Sequence, residues 1–176
     1  MPRSFDMSVD YERSVEEVHR AFGELDYWQG RLAVSPVDVA TLESMQVGGE
    51  SDTDKTIEVV TLQTMLSQNL PGLVTQLHRG DLSVRREEIW GPVDDGTATA
   101  SIAGSIVNAP VSLQGIAVLA PAPESEAARL TYRVTVQVRV PIIGGKLEKI
   151  IGTQLAGLVT AEHQFTTDWI ANNAAR

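Results

Sequence analysis

The sequence predicts an α+β fold: a curved seven-stranded antiparallel sheet wrapped around one long C-terminal helix. Two short helices follow strand 1, and a small helix is inserted between strands 3 and 4. Three observations predict it. Period-two alternation recurs along the chain and is clearest in "RLTYRVTVQVRV", where Leu130, Tyr132, Val134, Val136, Val138 and Val140 share one face. Consecutive strands are joined by turn signals such as "GPVDDG" rather than by helices, which argues for antiparallel pairing. From roughly 143 to 172 the period changes to that of a helix. Ile143, Leu147, Ile150, Ile151, Leu155, Leu158, Ala161, Phe165 and Trp169 then fall within a stripe of about 140°.

"SFDMSVDYE" opens the chain as a strand, with Phe5, Met7, Val9 and Tyr11 on one face. In "RSVEEVHRAFGEL", Ser14 and Glu17 have capping-box spacing, and Val15, Val18, Phe22 and Leu25 recur at helical intervals. "DYWQGRLA" reads as a second short helix after a break at Gly23 to Asp26. "VDVATLESMQV" returns to period two and places Val37, Val39, Met45 and Val47 on one face. "KTIEVVTLQTML" is the next strand, but both of its faces carry three apolar residues, so its inward face stays open. In "NLPGLVTQLHRG", Asn69 stands where an N-cap belongs, Pro71 falls in the first turn, and Leu70, Leu73, Val74 and Leu77 form an apolar stripe. "LSVRREEIW", "TATASIAGSIV" and "VSLQGIAVLA" are the strands that follow.

The 176 residues fit one domain spanning 1–176. At that length about 70% of the unfolded chain's surface can be buried, so no staple is needed. There is no cysteine, which excludes disulfides, thiolate metal sites and cysteine nucleophiles. The first residues carry charge and no apolar run, and no stretch approaches the roughly 18 apolar residues of a membrane span. A cytoplasmic, soluble protein without stable membrane insertion is expected. The net charge of −9 opposes phosphate backbones, so nucleic acid is not an expected partner. "RREE" cancels itself, and "GGKLEK" sets two lysines around a glutamate, so no basic stripe or polybasic anchor is read.

Few residues carry recognisable chemistry. Lys146 after Gly144 and Gly145 lacks the following Ser or Thr and the glycine spacing of a phosphate loop, so the pair of glycines reads as a tight turn into the helix. His163 lies opposite the apolar stripe and is expected in solvent. His78 caps the inserted helix, and the single E-x-x-H of Glu16 and His19 is too little for a metal site. Arg86 and Glu88 share parity with Trp90, and mutual neutralisation on a solvated face is the expectation for that pair. Glu162 falls inside the helix's apolar stripe. A carboxylate facing an apolar cavity would have a raised pKa; the plainer expectation is that it reaches water at the stripe's edge.

The start "VDYERSVEEVHRAFGELDYW" and the end "YRVTVQVRVPIIGGKLEKIIGTQLAGLVTAE" resemble the START-like (SRPBCC, helix-grip) superfamily, which includes the birch-pollen allergen fold, polyketide cyclases and aromatases, and lipid-transfer domains. With "NLPGLVTQL", "EIW" and "VPIIGGKLE" the chain is most similar to a branch of unknown function. The resemblance implies a cavity for an apolar molecule between sheet and long helix. Composition argues the same way: "GTATASIAGSI" and "VSLQGIAVLA" are poor in bulk. An empty void of about 300 Å³ would cost on the order of 7 kcal/mol. The expected function is therefore binding or carriage of a small hydrophobic ligand such as a fatty acid, lipid, isoprenoid or polyketide-like molecule. Met45, Met65, Leu73, Leu77, Trp90, Leu113, Leu158, Glu162 and Phe165 are the expected lining, with the inserted helix as a candidate lid. No catalytic set, metal or cofactor is expected. A cyclase, aromatase or hydrolase acting on an apolar substrate is one alternative, and an interaction or homodimer module is another.

Overall fold

A computed structural model describes residues 2–51 and 54–173, with the side chains of Leu73 and Leu77 outside the described set. The element order is β1 (Arg3–Asp10), α1 (Val15–Phe22), α2 (Leu25–Ala33), β2 (Val39–Gly48), β3 (Thr56–Met65), α3 (Gly72–Leu77), β4 (Leu82–Trp90), β5 (Ala98–Ile106), β6 (Val111–Pro121), β7 (Ala128–Val138) and α4 (Gly144–Asn173). The strands form one antiparallel sheet in the order β1-β7-β6-β5-β4-β3-β2. α4 packs on β7 and β1 and, further along, on α1 and α2. This is the expected architecture, including the small helix between strands 3 and 4.

Local chemistry accounts for the elements. Ser14 Oγ accepts from Glu17 N at 3.2 Å and caps α1. Alternating burial along β7 follows its alternating sequence, with Leu130, Val134, Val136 and Val138 buried. The main core gathers where α1 and α2 meet the sheet. There Phe22, Tyr27, Trp28 and Trp90 pack as an aromatic cluster with ring centroids 5.2 to 6.4 Å apart. Gly144 enters α4 under the carbonyl of Val138; a Cβ there would lie 2.7 Å from that oxygen. Gly144 is thus a packing feature, whereas Gly145 has open space beside it, and the left-handed residue of the turn is Ile142.

Five details differ from the sequence reading. A bulge between Leu42 and Ser44 shifts the register of β2, so Val39 is exposed while Met45 turns inward opposite Val59. Asn69 does not cap α3. It lies in a 3₁₀ turn and donates to Asp38, while Pro71 precedes the helix. His163 is half-buried, with Nε2 2.6 Å from the Asp10 carbonyl. Arg86 and Glu88 point into the fold. Finally, the most buried side of α4 carries Gly144, Leu147, Glu148, Gly152, Thr166 and Ile170, a face turned about 90° from the apolar stripe at 3.6 residues per turn. The reason is specific contact. Glu148 accepts from Val138 N at 2.9 Å, and Gly152 has no side chain where the Phe5 ring sits. β3 resolves its open choice by burying Ile57, Val59, Thr61 and Gln63.

Candidate functional site: a buried charge quartet

On α4, Ile151 and Leu155 are half-buried against the cluster of Val134, Val136, Val138 and Leu147, and Leu158 is half-buried further along the helix. The inner faces of the central strands have the same character at this end of the sheet. Leu82 and Val84 of β4, Ile106 of β5, and Val111 and Leu113 of β6 are also half-buried. β4, β5 and β6 have neighbours on both sides, so these side chains lie on the inner face of the middle of the sheet.

Four charged side chains meet in the interior. Arg31 comes from α2, Arg86 and Glu88 from β4, and Glu162 from α4. Glu162 Oε2 accepts from Arg31 Nε at 3.0 Å and from Arg86 Nη2 at 2.7 Å, and Arg31 Nη2 lies 2.5 Å away. Its other oxygen, Oε1, has Arg86 Nη1 at 3.5 Å. Glu88 Oε1 stands 3.4 Å from Arg86 Nε and 3.8 Å from Arg31 Nη2, and Oε2 accepts from Trp90 Nε1 at 3.2 Å. A chain of hydroxyls extends the network: Arg31 Nη1 donates to the Tyr27 hydroxyl, that hydroxyl pairs with Thr166 Oγ1 at 2.6 Å, and Thr166 Oγ1 donates to the Glu162 carbonyl. The Arg31 guanidinium also stacks over Trp28 at 4.5 Å.

The electrostatics follow from burial against pairing. Burial pushes the Glu162 carboxyl up, but the Arg31 and Arg86 guanidiniums outweigh it and hold the group down at about 2. This reverses the raised pKa expected for a carboxylate in an apolar cavity, because two guanidiniums face the group, and the carboxylate is buried against them instead of reaching water at the stripe's edge. A carboxylate held ionised in this way is a poor proton donor or acceptor near neutral pH. Burial and the neighbouring Glu88 charge raise Tyr132 well above the ordinary phenol range. Two arginines and two glutamates leave the quartet with no net charge.

The expected lining residues divide into groups. Leu158, Glu162 and Phe165 come together with Arg31, Leu32 and Gln63 around a recess of about 10 Å³, the size of one water. Leu113 packs against both apolar clusters of the interior. Met65 is half-buried, paired across the sheet with Leu82. Trp90 and Met45 belong to the main core. Leu73 and Leu77 have side chains outside the described residues. Arg31 was missed, although Tyr27, Trp28, Arg31 and Leu32 recur at helical spacing as the buried face of α2. Among the described residues no cluster of three His, Asp or Glu side chains could hold a metal ion.

A family profile described as "Protein of unknown function (DUF2505)" matches residues 6–170. The chain belongs to this family. Relatives at 73% identity include the uncharacterized proteins Rv0481c of Mycobacterium tuberculosis and Mb0491c of Mycobacterium bovis, each matched over 98% of this chain and 99% of theirs. Among solved structures, this DUF2505 chain is similar to norcoclaurine synthase from Thalictrum flavum, with a TM-score of 0.55 at 9% identity over 99% of this chain and 97% of that one. It is also similar to a conserved protein from Geobacillus kaustophilus, with a TM-score of 0.57 at 14% identity over 97% and 96%. The allergen Ara h 8.0201 gives a TM-score of 0.51 at 10% identity over 96% and 99%. These likenesses place the chain in the birch-pollen-allergen-like helix-grip fold. Among the described residues no helix is long and apolar enough to cross a membrane.

Proposed function

We propose that this protein, as a single folded domain, binds a small hydrophobic molecule in the cleft between the central strands and α4. The observation that supports the reading is the half-burial of apolar side chains on the helix and on the inner face of the sheet: Ile151, Leu155 and Leu158 on α4, and Val84, Ile106 and Leu113 on the strands. Apolar surface left accessible inside a fold favours an apolar occupant. α3 follows β3 at the open end and is suited to cover it.

The quartet narrows the ligand's chemistry. Its charges already balance, so a carboxylate bound there would bring an unpaired buried charge. Glu162 Oε1 is the acceptor with spare capacity, and it is reached by a ligand hydroxyl or amide N–H. A long-chain or isoprenoid alcohol fits better than a fatty acid.

Native mass spectrometry with hexadecanol and hexadecanoate tests this. The alcohol should be retained about tenfold more tightly than the carboxylate at neutral pH. Equal or tighter retention of the carboxylate removes the neutral head group and leaves the binding reading standing. Retention of neither, with no endogenous apolar adduct on freshly purified protein, removes the binding reading itself.

A further inference from the structure

The charged surface is sorted in a way that the composition conceals. Most arginines are matched: Arg13 with Glu17, Arg85 with Glu43, Arg129 with Asp10, Arg133 with Asp6, and Arg31 and Arg86 within the quartet. Among the described residues, Arg3, Arg79, Arg139, Lys146 and Lys149 are exposed and form no ion pair with a carboxylate. All five lie at one end of the molecule. Arg3 pairs with Val136 near the end of β7, and Arg139 follows that strand. Lys146 and Lys149 lie in the first turns of α4, and Arg79 lies between α3 and β4. The glutamate between the two lysines forms no ion pair with them: Glu148 is buried and its carboxylate accepts from Val138 N. Two acids at this end, Asp38 and Asp81, accept the backbone N–H groups of Leu66 and Ser67.

An apolar side chain projects from the same end. Ile142 is fully exposed, at 103% relative accessibility, and follows exposed Pro141. Its backbone has φ of 73°, a left-handed conformation that a β-branched residue rarely adopts. The turn is closed by Ile143 N bonding to Pro141 O at 2.8 Å and Gly144 N bonding to Val140 O at 3.0 Å.

We propose that this end of the molecule is a docking surface for an anionic lipid bilayer. Ile142 enters the boundary between head groups and acyl chains, and Arg3, Arg139, Lys146 and Lys149 meet the lipid phosphates. Isolated cations would suit any phosphate polymer. A fully exposed isoleucine flanked by proline inside the cationic patch selects a lipid surface, which alone offers an apolar layer beneath the phosphates. The chain's net charge of −9 makes attachment directional, because the rest of the surface is repelled. The docking surface includes the end at which the cleft opens, but it does not depend on the cleft being occupied.

Vesicle co-sedimentation of the full chain tests the assignment. The protein should partition onto phosphatidylcholine–phosphatidylglycerol vesicles, weakly onto phosphatidylcholine alone, and less in high salt, as screening requires. Ile142→Asn should reduce partitioning by about tenfold. Asparagine tolerates positive φ, so this variant should melt no lower than the wild type. Lys146→Gln with Lys149→Gln should reduce partitioning by about 25-fold, at about fivefold for each cation. Failure of the wild type to prefer anionic vesicles overturns the proposal, as does wild-type partitioning of both variants. Tighter retention by duplex DNA than by vesicles also overturns it, in favour of a nucleic-acid surface.

Discussion

Glu162 ties α4 to α2 and β4. It accepts from Arg31 and Arg86 through its side chain and from Thr166 through its carbonyl. Replacing it with Gln keeps the shape and removes one buried charge, leaving two guanidiniums with Glu88 alone. Glu162→Gln should therefore lower unfolding free energy by about 3–5 kcal/mol, read from urea denaturation. Adding Arg86→Met should cost less than the sum of the two single effects, with coupling of about 1–3 kcal/mol. Strict additivity would show that the pair does not act as a unit. The carboxylate was legible in the sequence as an acid inside an apolar stripe. Its partners were not, since Arg31 and Arg86 stand 131 and 76 residues away.

α4 shows how a packing detail outranks a hydropathy pattern. Its apolar stripe predicts one seat on the sheet. The observed seat is set by Glu148 bonding to the end of β7 and by Gly152 meeting the Phe5 ring. A methyl group on Gly152 would overlap that ring, so Gly152→Ala should destabilise by about 1–3 kcal/mol despite alanine's better helix propensity. Phe5→Leu in the same chain should recover part of the loss in a thermal melt. If Gly152→Ala raises the melting temperature, the helix is not pinned there. β2 gives a parallel case: its alternation is real, but the bulge at Leu42/Ser44 splits one apparent face into two.

The whole molecule's pH response follows from the same charges. Glu162 titrates at about 2 in the fold, against an ordinary 4.5. A carboxylate with a depressed folded pKa stabilises above its unfolded value, and that stability is lost as pH falls. Thermal melts should therefore drop between pH 4.5 and about 2. Glu162→Gln should flatten that limb from an already lower plateau. Asp6 and Asp10 are also lowered by hydrogen bonds from Arg133 and Arg129, but both pairs are exposed and solvent-screened, so their share is small. At the alkaline end the sign reverses. Tyr11, Tyr27 and Tyr132 are raised by burial, so the fold holds them neutral and loses stability only as pH climbs past the ordinary phenol value. An acid limb unchanged by Glu162→Gln would assign acid unfolding to other carboxylates.

The elements, their order, and the antiparallel sheet with its long helix are legible in the sequence alone. Alternation of period two and period 3.6 is local information, and turn residues mark where one gives way to the other. It also marked Leu158, Glu162 and Phe165 as companions, because they share one helix face. Tertiary packing settled which face of β3 is buried, that Arg86 and Glu88 point inward, and that Glu148 forms no ion pair with its neighbouring lysines. These outcomes depend on contacts between residues far apart in the chain. A side chain's charge is written in the sequence, but the direction it points is set by what packs beside it.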